Sequence, residues 1–143
     1  METIALRFAE NIAPSCGTIK AHQKMIDDKG WVWYGKFGSA ISLNRKKIIL
    51  DNKEPKVLLI HSGSTDRYWA YLEDISSDVP PLDEWPSYYH HLASKIHAWL
   101  KITKIVPAAG NVMSKCIVVS SGRCLSETSK SSMSPYFFIK FQE

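Results

Sequence analysis

The sequence has no apolar run approaching the roughly 20 residues that a membrane-spanning helix needs. Its N-terminus also lacks the pattern of a secretory signal peptide. Cysteine is scarce: Cys16, Cys116 and Cys124 make an odd count, and their spacing matches no metal site. These absences predict reduced thiols in a cytoplasmic protein, with no membrane partner, no metal and no cofactor.

Repeats and linkers are absent too, so residues 1–143 are predicted to form one domain. Hydrophobic residues make up 45% of the chain and charged residues 22%, which is ordinary for a globular protein. A chain of this length buries a core without disulfides or metals. Length and composition therefore predict a single globular domain and leave its function open.

Charge is modest in sum but uneven along the chain. The net charge is +4, yet residues 45–56 hold five cations against two acids, and residues 73–84 hold five acids and no base. A basic surface suits a polyanionic partner, because each phosphate contact releases counterions. A solvated face is the alternative for so short a run. The predicted phosphate contacts are Arg45, Lys46, Lys47 and Arg67.

The richest local pattern is the aromatic run at 30–37, which reads GWVWYGKF. In a strand, Trp31 and Trp33 would share one face at a spacing of roughly 7 Å. Tyr34 and Lys36 would share the other face. Aromatic surfaces near cations can grip a flat heterocycle such as a nucleobase, although two indoles can equally fill a β core.

Hydrophobic periodicity predicts the remaining elements. Alternation near Ile4 predicts a half-buried strand. Thr18 as N-cap and Gly30 as C-terminal glycine bound a predicted helix. Further strands are expected at 57–60, 67–75, 96–106, 116–119 and 136–141. The segments 39–55, 76–94 and 120–134 are expected to be irregular, with short helical turns in the first two.

This pattern predicts an α+β fold, because about six short strands accompany one clear N-terminal helix without a βαβ rhythm. A small mixed β-barrel fits it better than a sandwich or a parallel sheet.

The order of these elements resembles the barrel superfamily that includes PUA, YTH and EVE domains. Residues 56–63 and 68–72, KVLLIHSG and YWAYL, resemble its central hairpin. Residues 99–105 resemble a later strand that carries an aromatic and a basic residue. Residues 111–125 are similar to the closing segment of the family. The likeness implies a PUA-like barrel of the YTH/EVE type.

The resemblance also implies a function: non-catalytic recognition of a modified, typically methylated, base that is flipped into an aromatic cage. By position, Trp33 and Trp85 would form two walls of the cage, and Trp31 or Tyr34 would complete it. Barrels of this kind occur as specificity modules of modification-dependent restriction systems. That context favours DNA over RNA as the partner and implies a fused or associated nuclease or NTPase.

Polar contacts to the base edge are expected from Ser39, His61 and Ser62. Two other binding functions stay open: RNA binding without modification specificity, and a protein-interaction module that presents Trp69, Tyr71 and Trp99. Catalysis is not expected, because His61 and Ser62 are strand neighbours that face opposite ways and lack a nucleophile elbow. The histidines at 90, 91 and 97 match no metal-site spacing.

Overall fold

The fold is built on one seven-stranded sheet, seen in a computed structural model that describes residues 1–8, 10–61 and 65–142. In chain order the strands are β1 (Glu2–Arg7), β2 (Val32–Phe37), β3 (Lys56–Ile60), β4 (Arg67–Ser76), β5 (Ile96–Pro107), β6 (Cys116–Val118) and β7 (Tyr136–Phe141). Their order across the sheet is β2-β5-β4-β3-β1-β7-β6. β1 and β3 are parallel, and the other neighbouring pairs are antiparallel.

The sheet is open, so the predicted barrel is not closed, and seven strands are present where about six were predicted. Within the described ranges, β2 and β6 are the two edges and do not pair with each other. β6 has only three residues, too few to form an extended pairing with a second strand. Register shifts within the β2–β5 and β4–β5 pairs add local twist, which curls the sheet around a core without closure.

Three α-helices accompany the sheet in the part of the chain that is described: α1 (Thr18–Lys29), α2 (Leu43–Leu50) and α3 (Leu125–Ser131). Three 3-10 segments lie at Leu82–Glu84, Ser87–Lys95 and Val112–Lys115. None of the helices in these ranges has the length and hydropathy needed to cross a membrane.

α1 confirms the predicted helix. It buries Thr18, His22 and Ile26 against the sheet. Gly30 ends it in the left-handed conformation, φ 95°, and its N–H donates to the carbonyl of Ile26 at 2.7 Å. The N-cap is Gly17, one residue before the predicted position.

α3 lies in the Ser/Thr-rich segment that was predicted to be a loop. Its anchor is Leu125, whose side chain is fully buried. Its carboxyl end is capped from a distance by Arg7 of β1. That guanidinium donates to the carbonyl oxygens of Ser129 at 2.6 Å and Ser132 at 2.8 Å. This long-range cap satisfies orphan carbonyls of the last turn, which a local sequence pattern does not reveal.

β1 is more buried than its alternation predicted. Ile4, Ala5 and Leu6 are all 2% exposed or less. Ile4 and Leu6 face one core cluster, and Ala5 faces a second cluster on the opposite side. Both faces of β1 are therefore covered by core, and β3 and β7 pair with its two edges. A third, aromatic-rich cluster packs around Trp85, Tyr89, Ile96 and Trp99.

Candidate functional site

A cavity of about 410 Å³ opens where α1, β2, the 3-10 segment Ser87–Lys95 and the start of β7 meet. We call it the aromatic cavity. Of the described residues that line it, three are cationic (Arg7, Lys36 and Lys95), and none is acidic. Its aromatic side chains are those of Phe8, Tyr34, Phe37, Tyr88, Tyr89 and Tyr136.

β2 supplies Tyr34, Lys36 and Phe37 to the lining because a register shift interrupts the alternation of its side chains. Tyr34 and Lys36 are two residues apart and therefore share a face. A register shift against β5 falls between Lys36 and Phe37. Such a bulge re-aims the side chain that follows it, so Phe37 lines the same cavity as the other two.

Tyr34 brings a free hydroxyl to the cavity. The residue is 7% exposed, and no other side chain or backbone group of the described chain hydrogen-bonds to its hydroxyl. Burial raises the pKa of Tyr34, so the phenol stays protonated. It can therefore donate a hydrogen bond to a ligand.

Lys36 is a nearly buried cation in the cavity wall, with 4% of its surface exposed. Its Nζ donates to the carbonyl oxygen of Ser39 at 2.6 Å and lies 4.2 Å from the centre of the Tyr136 ring. No carboxylate among the residues described here pairs with it. Burial lowers the pKa of Lys36. The ammonium is thus fixed by a carbonyl and an aromatic face.

Tyr89 and His22 form a hydrogen-bonded part of the cavity wall. The Tyr89 hydroxyl accepts from the backbone N–H of Gly35 at 3.3 Å and lies 3.1 Å from Nε2 of His22. Nδ1 of His22 lies 2.8 Å from the carbonyl oxygen of Thr18, so it carries the proton of the neutral ring. Burial lowers the pKa of His22 to about 4. The wall is therefore neutral and rigid at physiological pH.

The three tryptophans predicted for a cage lie outside the lining of this cavity. Trp33 is half-buried and packs against the third core cluster. Trp31, also half-buried, donates from Nε1 to Glu84 Oε1 at 2.7 Å. Trp85 is 1% exposed and packs edge-on against Trp99 with ring centres 4.7 Å apart. Of the predicted aromatic contacts, Tyr34 lines the cavity.

The predicted polar contacts are dispersed. Ser39 is exposed beside the cavity, and its hydroxyl lies 3.4 Å from that of Tyr136. His61 stacks on Phe8 with ring centres 5.2 Å apart. It lines a different cavity, of about 510 Å³. Ser62 lies outside the described residues.

The predicted phosphate contacts fall into two groups. Arg45, Lys46 and Lys47 lie on α2, where Lys46 pairs with Asp74 at 3.6 Å. Lys47 is exposed. Arg67 donates to the carbonyl oxygen of Thr65 at 3.1 Å and lines the same cavity as His61. Of these four cations, Arg45 is the one whose described contacts lead toward the aromatic cavity.

The link between α2 and the cavity is a run of stacked side chains. Lys36 lies over Tyr136, and the Tyr136 and Phe138 rings meet edge-on at 5.6 Å. The guanidinium carbon of Arg45 lies 4.2 Å from the centre of the Phe138 ring. We call these four residues the cation–aromatic series. It presents two cations and two flat rings side by side.

Sequence reasoning missed most of the lining. Tyr88 and Tyr89 stood in a segment expected to be a loop, and Tyr136 in an alternating strand. The adjacent tyrosines were a visible signal, since two large aromatics in a polar loop must pack against something. Nothing local indicated that β7 brings Tyr136 to β2, because that contact spans about two thirds of the chain.

The patch predicted for a protein-interaction module is not at the surface. Trp69 is 6% exposed and Trp99 is fully buried. Tyr71 is half-buried, with Lys56 and Lys104 over its ring. These residues pack in or against the core and do not form an apolar surface patch.

The molecule is thus an α+β domain whose curled sheet holds an aromatic, cation-lined cavity. A family model described as Pua-like matches residues 4–133, and the chain belongs to that family. Such domains typically bind RNA or other nucleic acid and are generally non-catalytic. Comparisons with curated proteins and with solved structures gave no match.

Proposed function

We propose that this domain binds nucleic acid and takes one extruded base into the aromatic cavity. The observation that carries this proposal is the described lining of the cavity, which has six aromatic residues, three cations and no acid around a volume of about 410 Å³. That volume lies within the range of small-ligand sites. The chemistry of the lining matches a flat ring attached to a polyanion.

The energetics are favourable for base insertion. Extruding a base costs a few kcal/mol, least from a single strand or a mismatch. Stacking on an aromatic side chain returns about 1–3 kcal/mol per base. The cavity offers Tyr34, Phe37 and Tyr136 as stacking partners, and the cations beside it supply phosphate contacts. The α2 cations Arg45 and Lys47 are the proposed outer contacts.

We propose further that the base is modified by methylation and that DNA is preferred to RNA. The support is the YTH/EVE resemblance together with the apolar side chains of Leu6, Phe8 and Leu92 in the cavity wall. Burying one methyl group is worth about 0.8 kcal/mol, or about fourfold in affinity. Trp33 acts from behind β2 by holding the wall. A nuclease or NTPase partner would supply the response to binding.

The test uses short single strands in which one central base is flanked by abasic positions, so that only this base can enter the cavity. Matched DNA and RNA strands carry a methylated or unmethylated central base, and each of the four standard bases is tested. A strand that is abasic throughout is the reference. We expect the best-bound central base to improve affinity by about tenfold over the abasic strand, the gain from one stacked base.

Two variants test whether the gain in affinity from the central base arises in the aromatic cavity. Phe37→Ala removes a cavity wall and should reduce the advantage of the base to about twofold, because it deletes one stacking partner. Phe141→Ala makes the same change at a half-buried phenylalanine that packs on the second core cluster, and it should leave the advantage intact. Equal binding of the abasic and base-containing strands by the unaltered protein would overturn the proposal. Equal binding of methylated and unmethylated strands would leave unmodified-base recognition in its place.

A further inference from the structure

We propose that the aromatic cavity selects bases with a ring carbonyl at the position where adenine and cytosine carry an amino group. This inference rests on the proposed function and names the chemical class of base that the site takes. It derives from the balance of hydrogen-bond donors and acceptors in the cavity wall.

The free polar groups of the wall are donors. The ammonium of Lys36 has three N–H groups and no acceptor. The carbonyl oxygen of Ser39 takes one of them at 2.6 Å, and the Ser39 hydroxyl is a longer contact at 3.4 Å. The Tyr34 hydroxyl is a second donor, without a partner in the described chain. Either group can donate a hydrogen bond to a carbonyl oxygen in the cavity.

Carboxylate and amide acceptors are missing from the described wall, and several of its other side-chain acceptors are engaged. No Asp, Glu, Asn or Gln is among the described residues that line the cavity. Nε2 of His22 faces the Tyr89 hydroxyl at 3.1 Å. The Tyr88 hydroxyl has a side-chain hydrogen bond with Thr18. The exocyclic amino group of adenine or cytosine would therefore face the Lys36 ammonium, which cannot accept a hydrogen bond, and would depend on the Tyr34 hydroxyl oxygen as its acceptor.

Lys36 is held in place for this role. Only 4% of its surface is exposed, and its ammonium is anchored between Ser39 and the face of Tyr136. A cation fixed in this way cannot turn out into solvent to make room for an amino group. Selectivity then arises from rejection of the amino base as well as from attraction of the carbonyl.

The test compares bases that differ in one exocyclic group and in the hydrogen on the ring nitrogen beside it. Hypoxanthine and adenine differ in having a carbonyl or an amino group at position 6, and uracil and cytosine differ in the same way at position 4. Each is placed as the central base of a short strand that is otherwise abasic. We expect the unaltered protein to bind the carbonyl member of both pairs about tenfold more tightly.

Lys36→Met keeps the length of the side chain and removes its donors. It should reduce that preference to about twofold, the part that Tyr34 supplies. Lys95→Met is the matched control, because Lys95 lines the same cavity but is exposed. It should weaken binding of every strand alike and leave the preference intact. Circular dichroism and thermal unfolding establish that both variants are folded. Tyr34→Phe serves as the second donor deletion if Lys36→Met is unfolded.

The two proposals fail differently. Base-dependent binding in which adenine and cytosine equal or exceed their carbonyl partners overturns this inference and leaves base insertion standing. Retention of the full preference by Lys36→Met overturns the role of Lys36. Binding that is no tighter than to the abasic strand overturns both proposals together.

Discussion

The hydroxyl of Tyr89 lies 3.1 Å from Nε2 of His22, so that one phenol joins α1 to the 3-10 segment behind the cavity. The same hydroxyl accepts from the N–H of Gly35 and lies 3.3 Å from the carbonyl oxygen of Trp33. Its single proton has two acceptors, the neutral imidazole and the carbonyl. This contact couples the stability of the site to the charge of His22.

We expect His22 to make the fold less stable in acid. Burial lowers the pKa of His22 from its ordinary value of 6.5 to about 4. Between these values the unfolded chain binds a proton that the folded chain does not, so stability falls as the pH falls through this window. The full loss of stability is about 3 kcal/mol, and no further loss from His22 occurs below a pH of about 4, where both the folded and the unfolded chain bind the proton.

His22→Gln is the control, since it keeps a donor and an acceptor but does not titrate. Urea unfolding at several pH values should show the unaltered protein losing stability faster than this variant, by about 1.4 kcal/mol per pH unit. The carboxylates titrate in both proteins and cancel in the difference. Parallel curves for the two proteins would show that His22 does not carry the effect.

Gly35 of β2 packs closely against Ile96 and Tyr89. A Cβ at this position would lie 2.7 Å from Cδ1 of Ile96 and 3.2 Å from Cε2 of Tyr89. We therefore expect Gly35→Ala to lower the free energy of unfolding by about 1–3 kcal/mol through overpacking. Chemical denaturation measures this loss.

Ile96→Val offers a matched rescue, because it removes only the Cδ1 atom that makes the shortest contact. The double variant Gly35→Ala with Ile96→Val should recover part of the stability that Gly35→Ala loses. If the two losses simply add, the clash with Ile96 is not the cause.

The limits of sequence reasoning can be traced to particular residues. α1 was predictable because its signals are local: a buried stripe at His22 and Ile26, and a glycine at its end. The β3–β4 hairpin was predictable for the same reason. α3 was not, because its Ser-rich sequence hides a helix that Arg7 caps from the far end of the chain.

The same contrast between local signals and long-range contacts applies to the candidate site. The pattern at 30–37 drew attention to β2, which supplies Tyr34, Lys36 and Phe37 to the cavity. It favoured the tryptophans because indoles are the larger stacking surfaces. Which face of β2 meets the cavity depends on how β7 and the 3-10 segment at 87–95 pack, and no local spacing encodes that choice.

Trp85 and Trp33 should respond differently to truncation. Trp85 is 1% exposed and packs against Tyr89 and Trp99, so Trp85→Ala should cost about 3–5 kcal/mol of stability. Trp33 is half-buried, and Trp33→Ala should cost about 1–2 kcal/mol. Urea unfolding measures both losses of stability.

We also expect Trp33→Ala to lose the preference for methylated over unmethylated strands while the fold persists. Unchanged stability of Trp85→Ala, combined with lost base-dependent binding, would instead make Trp85 a wall of the binding site.

The cation–aromatic series predicts a salt-dependent role for Arg45. Its guanidinium lies 4.2 Å from the centre of the Phe138 ring and has no ion-pair partner within the described ranges, so it is available to a phosphate. Arg45→Gln should weaken binding of base-containing and abasic strands by the same factor. It should also reduce the slope of log affinity against log salt by about 0.7, the contribution of one single-strand phosphate contact. Lys115→Gln removes one exposed charge near β6, away from the series, and should leave that slope unchanged. A loss of affinity confined to base-containing strands would place Arg45 at the base. An unchanged salt slope would show that Arg45 does not contact a phosphate.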